Sequence, residues 1–351
     1  MTDFSPILVQ TCEDDAAGRS PRALVPREEQ HHSLFEFDDP FGVRRAVLPV
    51  LHVGRDGDLQ GYGSCLAADP WGTLLTADHV VESMRAFRAD EGFVALLGIG
   101  VAFGTPPVPN EGIAPIVRAF TPAIPDDNPL NVLRGNDRPR PLDIAVLRTR
   151  DPQPENMAGT LPIRLRSGPR VGDTVIALGF PYVDTIKGNA DEVRSIISEG
   201  GLQAAYGVVT ALHPKGRDRS NPTPVFEVEA HWPSGMSGGP VLNSSGEVIG
   251  LVSRALDPMP GQFVGTAWGV WLEALPQLIN WAPTLDPENP KWRRCHAIRE
   301  IETGNIISLF PTRESAEGAQ ANDPFSEVVT GISRVGSSDF LSMTIIGEPV
   351  A

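Results

Sequence analysis

Ser237 sits in the run Gly235-Met236-Ser237-Gly238-Gly239-Pro240, a serine with glycine on both sides and no bulky neighbour after it. A serine hydroxyl is a poor nucleophile at neutral pH, so a reactive one needs a base to take its proton and a carboxylate to hold that base in one tautomer. His79, in Thr76-Ala77-Asp78-His79-Val80-Val81, is the candidate base, because histidine titrates near pH 6.5 when unperturbed. Asp143, in Leu142-Asp143-Ile144-Ala145-Val146-Leu147, is the candidate orienter, since its apolar flanks favour a buried carboxylate. Asp78 is a rival by adjacency, but neighbouring residues on a strand or turn point their side chains in different directions. Glycines around Ser237 let the backbone turn tightly and aim N–H groups at a developing oxyanion, which makes the Gly235 and Ser237 amides the candidate donors.

The same residues also satisfy Gly-x-Ser-x-Gly, the turn of the α/β-hydrolases. That turn requires a helix directly after the serine and the chain order Ser, Asp, His. Pro240, the strand-like Val241-Leu242 and the order His79, Asp143, Ser237 all contradict it. Other chemistries find less support. His31-His32 and Cys295-His296 have no further spaced ligands, so no metal is expected. Gly98 and Gly100 lack the following Lys-Ser/Thr of a phosphate loop, and no cofactor is expected.

The elements that must position these residues are short. Gly (35) and Pro (34) together are about a fifth of the 351 residues, which favours strands and turns over helix bundles. A 41% apolar content supports a large core. The net charge of -15 repels phosphate backbones and anionic lipid, so neither nucleic acid nor membrane is an expected partner. Cys12, Cys65 and Cys295 are widely spaced and odd in number, which gives no disulfide framework, and the N-terminus lacks the basic start and apolar run of a secretory signal; both fit a cytoplasmic protein.

Along the chain, residues 1–42 show no sustained period and read as a weakly structured extension. Short apolar runs bounded by Gly, Asp or Pro then form two groups, about 43–150 and 160–281, which predict an all-β pair of barrels. A Pro-, Asn- and Asp-rich stretch between Thr105 and Pro141 carries one strand-like run, Ile113 to Phe120, and the apolar stretch Phe93 to Phe103 reads as one or two buried strands. The run Leu272 to Trp281 has helical spacing, with Pro276 inside it. Residues 282–351 read as a C-terminal extension with a hairpin over Ile298 to Phe310, a helix near Thr312 to Ala321 and a strand over Phe340 to Ile346.

Taken in order, Thr-Ala-Asp-His, Asp-Ile-Ala-Val-Leu and Gly-Met-Ser-Gly-Gly-Pro resemble the trypsin/chymotrypsin family of serine proteases, and more closely its bacterial HtrA-like branch. The likeness runs from about residue 44 to 281 and extends to Gly63-Ser64-Cys65, Val171-Gly172-Asp173 with Ala177-Leu178-Gly179-Phe180-Pro181, and Gly246 to Ser253. The resemblance implies a chymotrypsin-like double β-barrel with a C-terminal helix and two terminal extensions, His79 and Asp143 coming from the first barrel and Ser237 from the second. It also implies that Ser253 faces the buried side of Asp143, that Arg254 and Ala255 offer an edge on which a peptide substrate pairs, and that His231 floors the specificity pocket. Met236 and Val80 depart from the digestive members, removing their activating ion pair and flanking disulfide, and no PDZ-like Gly-Leu-Gly-Phe loop follows Trp281.

The function implied is a serine endopeptidase acting on proteins through an acyl-enzyme, restrained by its extensions or a regulatory protein partner. By analogy it has a stress or phage-defence role. The alternative is a catalytically silent trypsin-fold protein used for binding or scaffolding.

Overall fold

The structure, a computed structural model, describes residues 4–11, 20–31, 33–37, 43, 46–53, 59–68, 73–82, 92–96, 113–125, 139–149, 161, 163, 168–183, 187–188, 201–218, 221–258, 264–275, 292–310, 313–334 and 340–342. The chain divides into two units, Met1–Ala282 and Pro283–Ala351.

In the first unit, strands β1 (Ile7–Val9), β2 (Arg22–Leu24) and β3 (Leu34–Glu36) precede a first barrel. That barrel contains β4 (Val47–Val53), β5 (Leu59–Ala67), β6 (Thr73–Thr76), helix α1 (Asp78–Glu82), β7 (Gly92–Leu96) and β8 (Ile113–Phe120). A small ladder of β9 (Ala123–Ile124) and β10 (Arg140–Pro141) then leads to β11 (Ala145–Thr149). Strands β4, β5, β6, β11, β8 and β7 pair in a ring, each antiparallel to the next, and β7 returns to β4. Closure removes the exposed edges that an open sheet would leave. Leu48, Val50, Leu74 and Leu147 fill the inside, and Cys65 is buried among them.

The second barrel follows the same plan. It uses β12 (Thr174–Gly179), β14 (Gln203–His213), β15 (Val225–Ala230), β16 (Pro240–Leu242), β17 (Val248–Leu256) and β18 (Thr266–Trp271), while β13 (Lys187–Gly188) pairs back onto β5 of the first. The ring runs β12, β16, β17, β18, β15, β14 and closes from β14 to β12. Phe226 occupies its core, and Gly250 and Gly269 make the room: a Cβ there would stand 2.5 and 2.3 Å from its ring. The expected pair of barrels is what the strands build.

The N-terminal segment differs from its expected weak structure. Phe4, Ile7, Val9 and Phe37 are buried, Leu8 N–H donates to Ser244 O at 2.9 Å, and β3 pairs with β14 over Gln203 to Ala205. On β14 the next register positions, Gly207 onward, belong to β15, and β12 occupies the opposite side of the same residues. So β3 continues the line of β15 after the chain leaves it at Ala230. Phe35 stacks on Tyr206 with ring centroids 5.3 Å apart. Polar composition hid this because only a few apolar residues, spaced for strands too short to show a period, carry the attachment.

Of the helical run expected over 272–281, Leu272–Ala274 form a single 3-10 turn, and 276–281 lie outside the described residues. So do 97–103, including Gly98 and Gly100.

The second unit is a four-stranded antiparallel sheet of β19 (Trp292–Glu300), β20 (Ile306–Phe310), β21 (Ser326–Arg334) and β22 (Phe340–Ser342), in the order β20, β19, β21, β22. Helix α2 (Arg313–Gln320) buries Ala316, and Arg299 pairs with Glu327 across β19 and β21 at 2.5 Å.

Candidate active site

His79 is the second residue of α1, which starts where β6 leaves the first barrel. Its Nδ1 lies 2.9 Å from Asp143 Oδ1, and its main-chain N–H donates to the same oxygen at 3.2 Å. Asp78, the rival, turns away and accepts from the Thr121 hydroxyl.

Asp143 precedes β11 between Leu142 and Ile144, both buried. Two side chains of the second barrel reach across to it: the Ser253 hydroxyl donates to Oδ2, and the Asp143 main-chain N–H donates to Thr223 Oγ1 at 2.7 Å. Burial alone would raise the Asp143 pKa. The hydrogen bond and charge of His79, the Ser253 hydroxyl and the His79 N–H outweigh it and hold the carboxyl at about 2. An ionised carboxylate only accepts, so the proton on the facing imidazole nitrogen belongs to Nδ1, which leaves Nε2 as the basic site.

Ser253 owes its placement to a bulge. Val252 pairs with Gly269 and Arg254 with Trp268, so Ser253 is the extra residue of β17, and a bulge re-aims the side chain it carries. Its carbonyl oxygen accepts from Ser237 Oγ at 3.3 Å, and no hydrogen bond joins Ser237 to His79. Arg254 and Ala255 continue β17. They pair with β18 on one side, while β16 reaches only Leu251 on the other, so beyond that point the second edge of β17 carries no strand among the described residues.

The turn around Ser237 is fixed by its carbonyls. Ser234 O accepts from Tyr182 N–H at 2.7 Å, and Met236 O accepts from Gly239 N–H at 2.9 Å. In a planar trans peptide the N–H points opposite to the C=O, so the Gly235 and Ser237 N–H groups face the other way. Neither has an acceptor among the described residues, whereas the N–H groups of Met236, Gly238 and Gly239 all do. Gly235 and Gly238 have φ of +89° and +84°, and a Cβ on Gly235 would stand 2.5 Å from Phe180 O. Tyr182 itself holds φ +63°, the conformation of a residue constrained by what surrounds it.

Two participants were missed in the sequence. Thr223 is one. Ser64, on β5, is the other: its N–H donates to Ser237 O at 2.8 Å, its hydroxyl donates to Gly235 O at 2.8 Å, and it accepts from Phe180 N–H at 3.0 Å. A fully buried serine in the run Gly61-Tyr62-Gly63-Ser64-Cys65-Leu66 was the available signal. His231 follows β15 half-buried, with no hydrogen bond to a described residue, and next to it Trp232 buries its indole N–H with no partner among the described residues.

A family model described as the trypsin-like peptidase domain matches residues 61–251. Serine endoprotease DegS of Escherichia coli K12 is 26% identical over 227 residues, covering 61% of this chain and 48% of DegS. A probable periplasmic serine endoprotease, DegP-like, of Buchnera aphidicola is 34% identical over 92 residues, covering 26% of this chain and 16% of that protein. The chain thus spans about half the length, or less, of the curated relatives it matches. The crystal structure of an inactive form of Rv3671c protease aligns with a TM-score of 0.39 at 14% identity, covering 68% of this chain and 89% of that one.

Proposed function

The chain belongs to the family of trypsin-like peptidase domains, and from that premise we propose that it is a serine endopeptidase working through an acyl-enzyme on Ser237. His79 Nε2 takes the hydroxyl proton as Oγ bonds to the scissile carbonyl carbon, and the oxyanion forms against the Gly235 and Ser237 N–H groups. The leaving amine receives that proton from His79 as the peptide C–N bond breaks. Water, deprotonated by the same nitrogen, then releases the acyl group. Asp143 stays ionised throughout and keeps the imidazole in the required tautomer. The substrate pairs as an added strand on the free edge of β17 at Ser253 to Ala255, with the side chain before the cut directed towards His231.

The observation that carries this reading is the pair of unclaimed N–H groups at Gly235 and Ser237, held open by carbonyls tied back on the far side. The Ser237 hydroxyl, which rests on Ser253 O, must turn to His79 before it reacts. That same contact favours the second reading, a latent or silent cleft used for binding. Because hydrogen bonds and buried side chains engage the N-terminal segment with the second barrel, restraint falls to residues 282–351 or a protein partner, with the cytoplasm as the working compartment. Labelling by a fluorophosphonate serine probe separates the two readings. A label lost in Ser237→Ala supports the protease, and an unlabelled wild type supports the silent cleft.

A further inference from the structure

Beside the triad a small recess, open to solvent, lies between the segment that joins β14 to β15 and the bulged end of β17. Arg217 and Arg254 stand on its walls, both exposed, with Trp268, Thr223 and Ser253 between them. The Arg217 guanidinium lies 3.8 Å from the centre of the Trp268 ring, and the Trp268 N–H donates to Glu227 at 3.3 Å, so the aromatic plate is fixed from behind. Arg217 N–H donates to Asn221 O at 3.1 Å, and Asn221 N–H donates to the Asp218 carboxylate at 3.0 Å, which fixes the segment that carries the arginine. Among the described residues neither guanidinium has a carboxylate within ion-pair distance. In a chain of net charge -15, two positive heads on one recess, without counter-ions among the described residues, are a local reversal of sign.

We infer that this recess is a specificity pocket for an acidic side chain of the peptide substrate. The inference rests on the proposed path of the peptide along Ser253 to Ala255. An extended peptide turns alternate side chains to opposite faces. If the residue before the cut points towards His231, the second and fourth residues before it point to the face where Arg254 and Arg217 stand. Asp143 borders the end of the recess nearer the triad, and its carboxylate repels an acid there. The fourth residue, two positions further along the strand, is therefore the acidic one, and guanidinium forks supply paired donors for its carboxylate.

The test uses the full chain carrying Ser237→Ala, so that binding is read without cleavage. Fluorescent decapeptide pools, degenerate except at every second position, carry Glu, Ala or Lys at the fixed sites; the alternation guarantees that one register presents the fixed residue to this face. Expected is binding of the Glu pool about tenfold tighter than the Lys pool at low salt, a gap that narrows in high salt. Arg217→Gln with Arg254→Gln should flatten the preference, and Arg217→Glu with Arg254→Glu should invert it, melting curves verifying that each variant is folded. Equal binding of the Glu and Lys pools, no binding of any pool, or a preference unmoved by charge reversal overturns the pocket. Fluorophosphonate labelling of the chain with Ser237 intact reports on the protease separately, so a silent nucleophile with an intact acid preference removes the catalysis and leaves the pocket.

Discussion

The main-chain N–H of Ser64 donates to the carbonyl oxygen of Ser237 across 2.8 Å, so a strand of the first barrel holds the serine that the second barrel carries. The reverse also holds, because Ser253 and Thr223 of the second barrel bond to Asp143 of the first. Each barrel steadies the other's contribution to the site.

Ser64→Ala removes one donor to Gly235 O and the acceptor of Phe180 N–H, both buried, while the N–H bond to Ser237 stays. Leaving such groups unsatisfied costs about 1–3 kcal/mol. Denaturant unfolding should show that loss. The turn that aims the Gly235 N–H should also loosen, so kcat falls more than KM rises; an unchanged kcat would detach Ser64 from the oxyanion turn.

Asp143→Asn places an amide where a pure acceptor is needed and allows the other imidazole tautomer. The expected loss is about 10³–10⁴-fold in kcat with the fold intact. Thr223→Val takes away only the acceptor of the Asp143 N–H and should cost far less activity than the Asp143 variant. Peptide hydrolysis and probe-labelling rates measure both.

The depressed Asp143 pKa gives stability a direction in acid. Its folded value of about 2 lies below the ordinary 3.8, so the stabilisation, about 2 kcal/mol, is complete above pH 4 and lost as the pH falls through 2. Melting curves between pH 5 and 2 should fall more steeply for the wild type than for Asp143→Asn. Parallel slopes would mean that another carboxylate dominates.

Removing residues 4–11 should destabilise rather than activate. Ile7 is fully buried, and Ile7→Ala alone should cost about 2–4 kcal/mol. Thermal unfolding measures this. A shorter chain with unchanged melting and faster hydrolysis would restore the idea of a blocking arm.

The chemistry was legible where it is local. Glycines flank Ser237, apolar residues flank Asp143, and His79 sits at a strand-to-helix step, so residue type and immediate neighbours made them the candidates, of which the structure joins His79 to Asp143. The turn-bounded apolar runs likewise identified the barrels. What stayed hidden depends on distance along the chain. Thr223 meets Asp143 from 80 positions away, and Ser64 meets Gly235 from 171, and nothing near either residue announces its partner. The bulge that presents Ser253 is a matter of register with β18, which no pattern within β17 records.

Barrel closure also separates what identifies this protein from what makes it fold. The segment matched by the family, 61–251, begins inside β5 and ends inside β17, omitting both β4 and β18. Each is a stave without which a ring becomes an open sheet with two adhesive edges. A fragment cut to that segment would hold His79, Asp143 and Ser237 but lose the Ser253 hydroxyl that bonds Asp143 and the Ser253 carbonyl on which Ser237 rests. The recognisable part of the chain is therefore smaller than its smallest self-sufficient part.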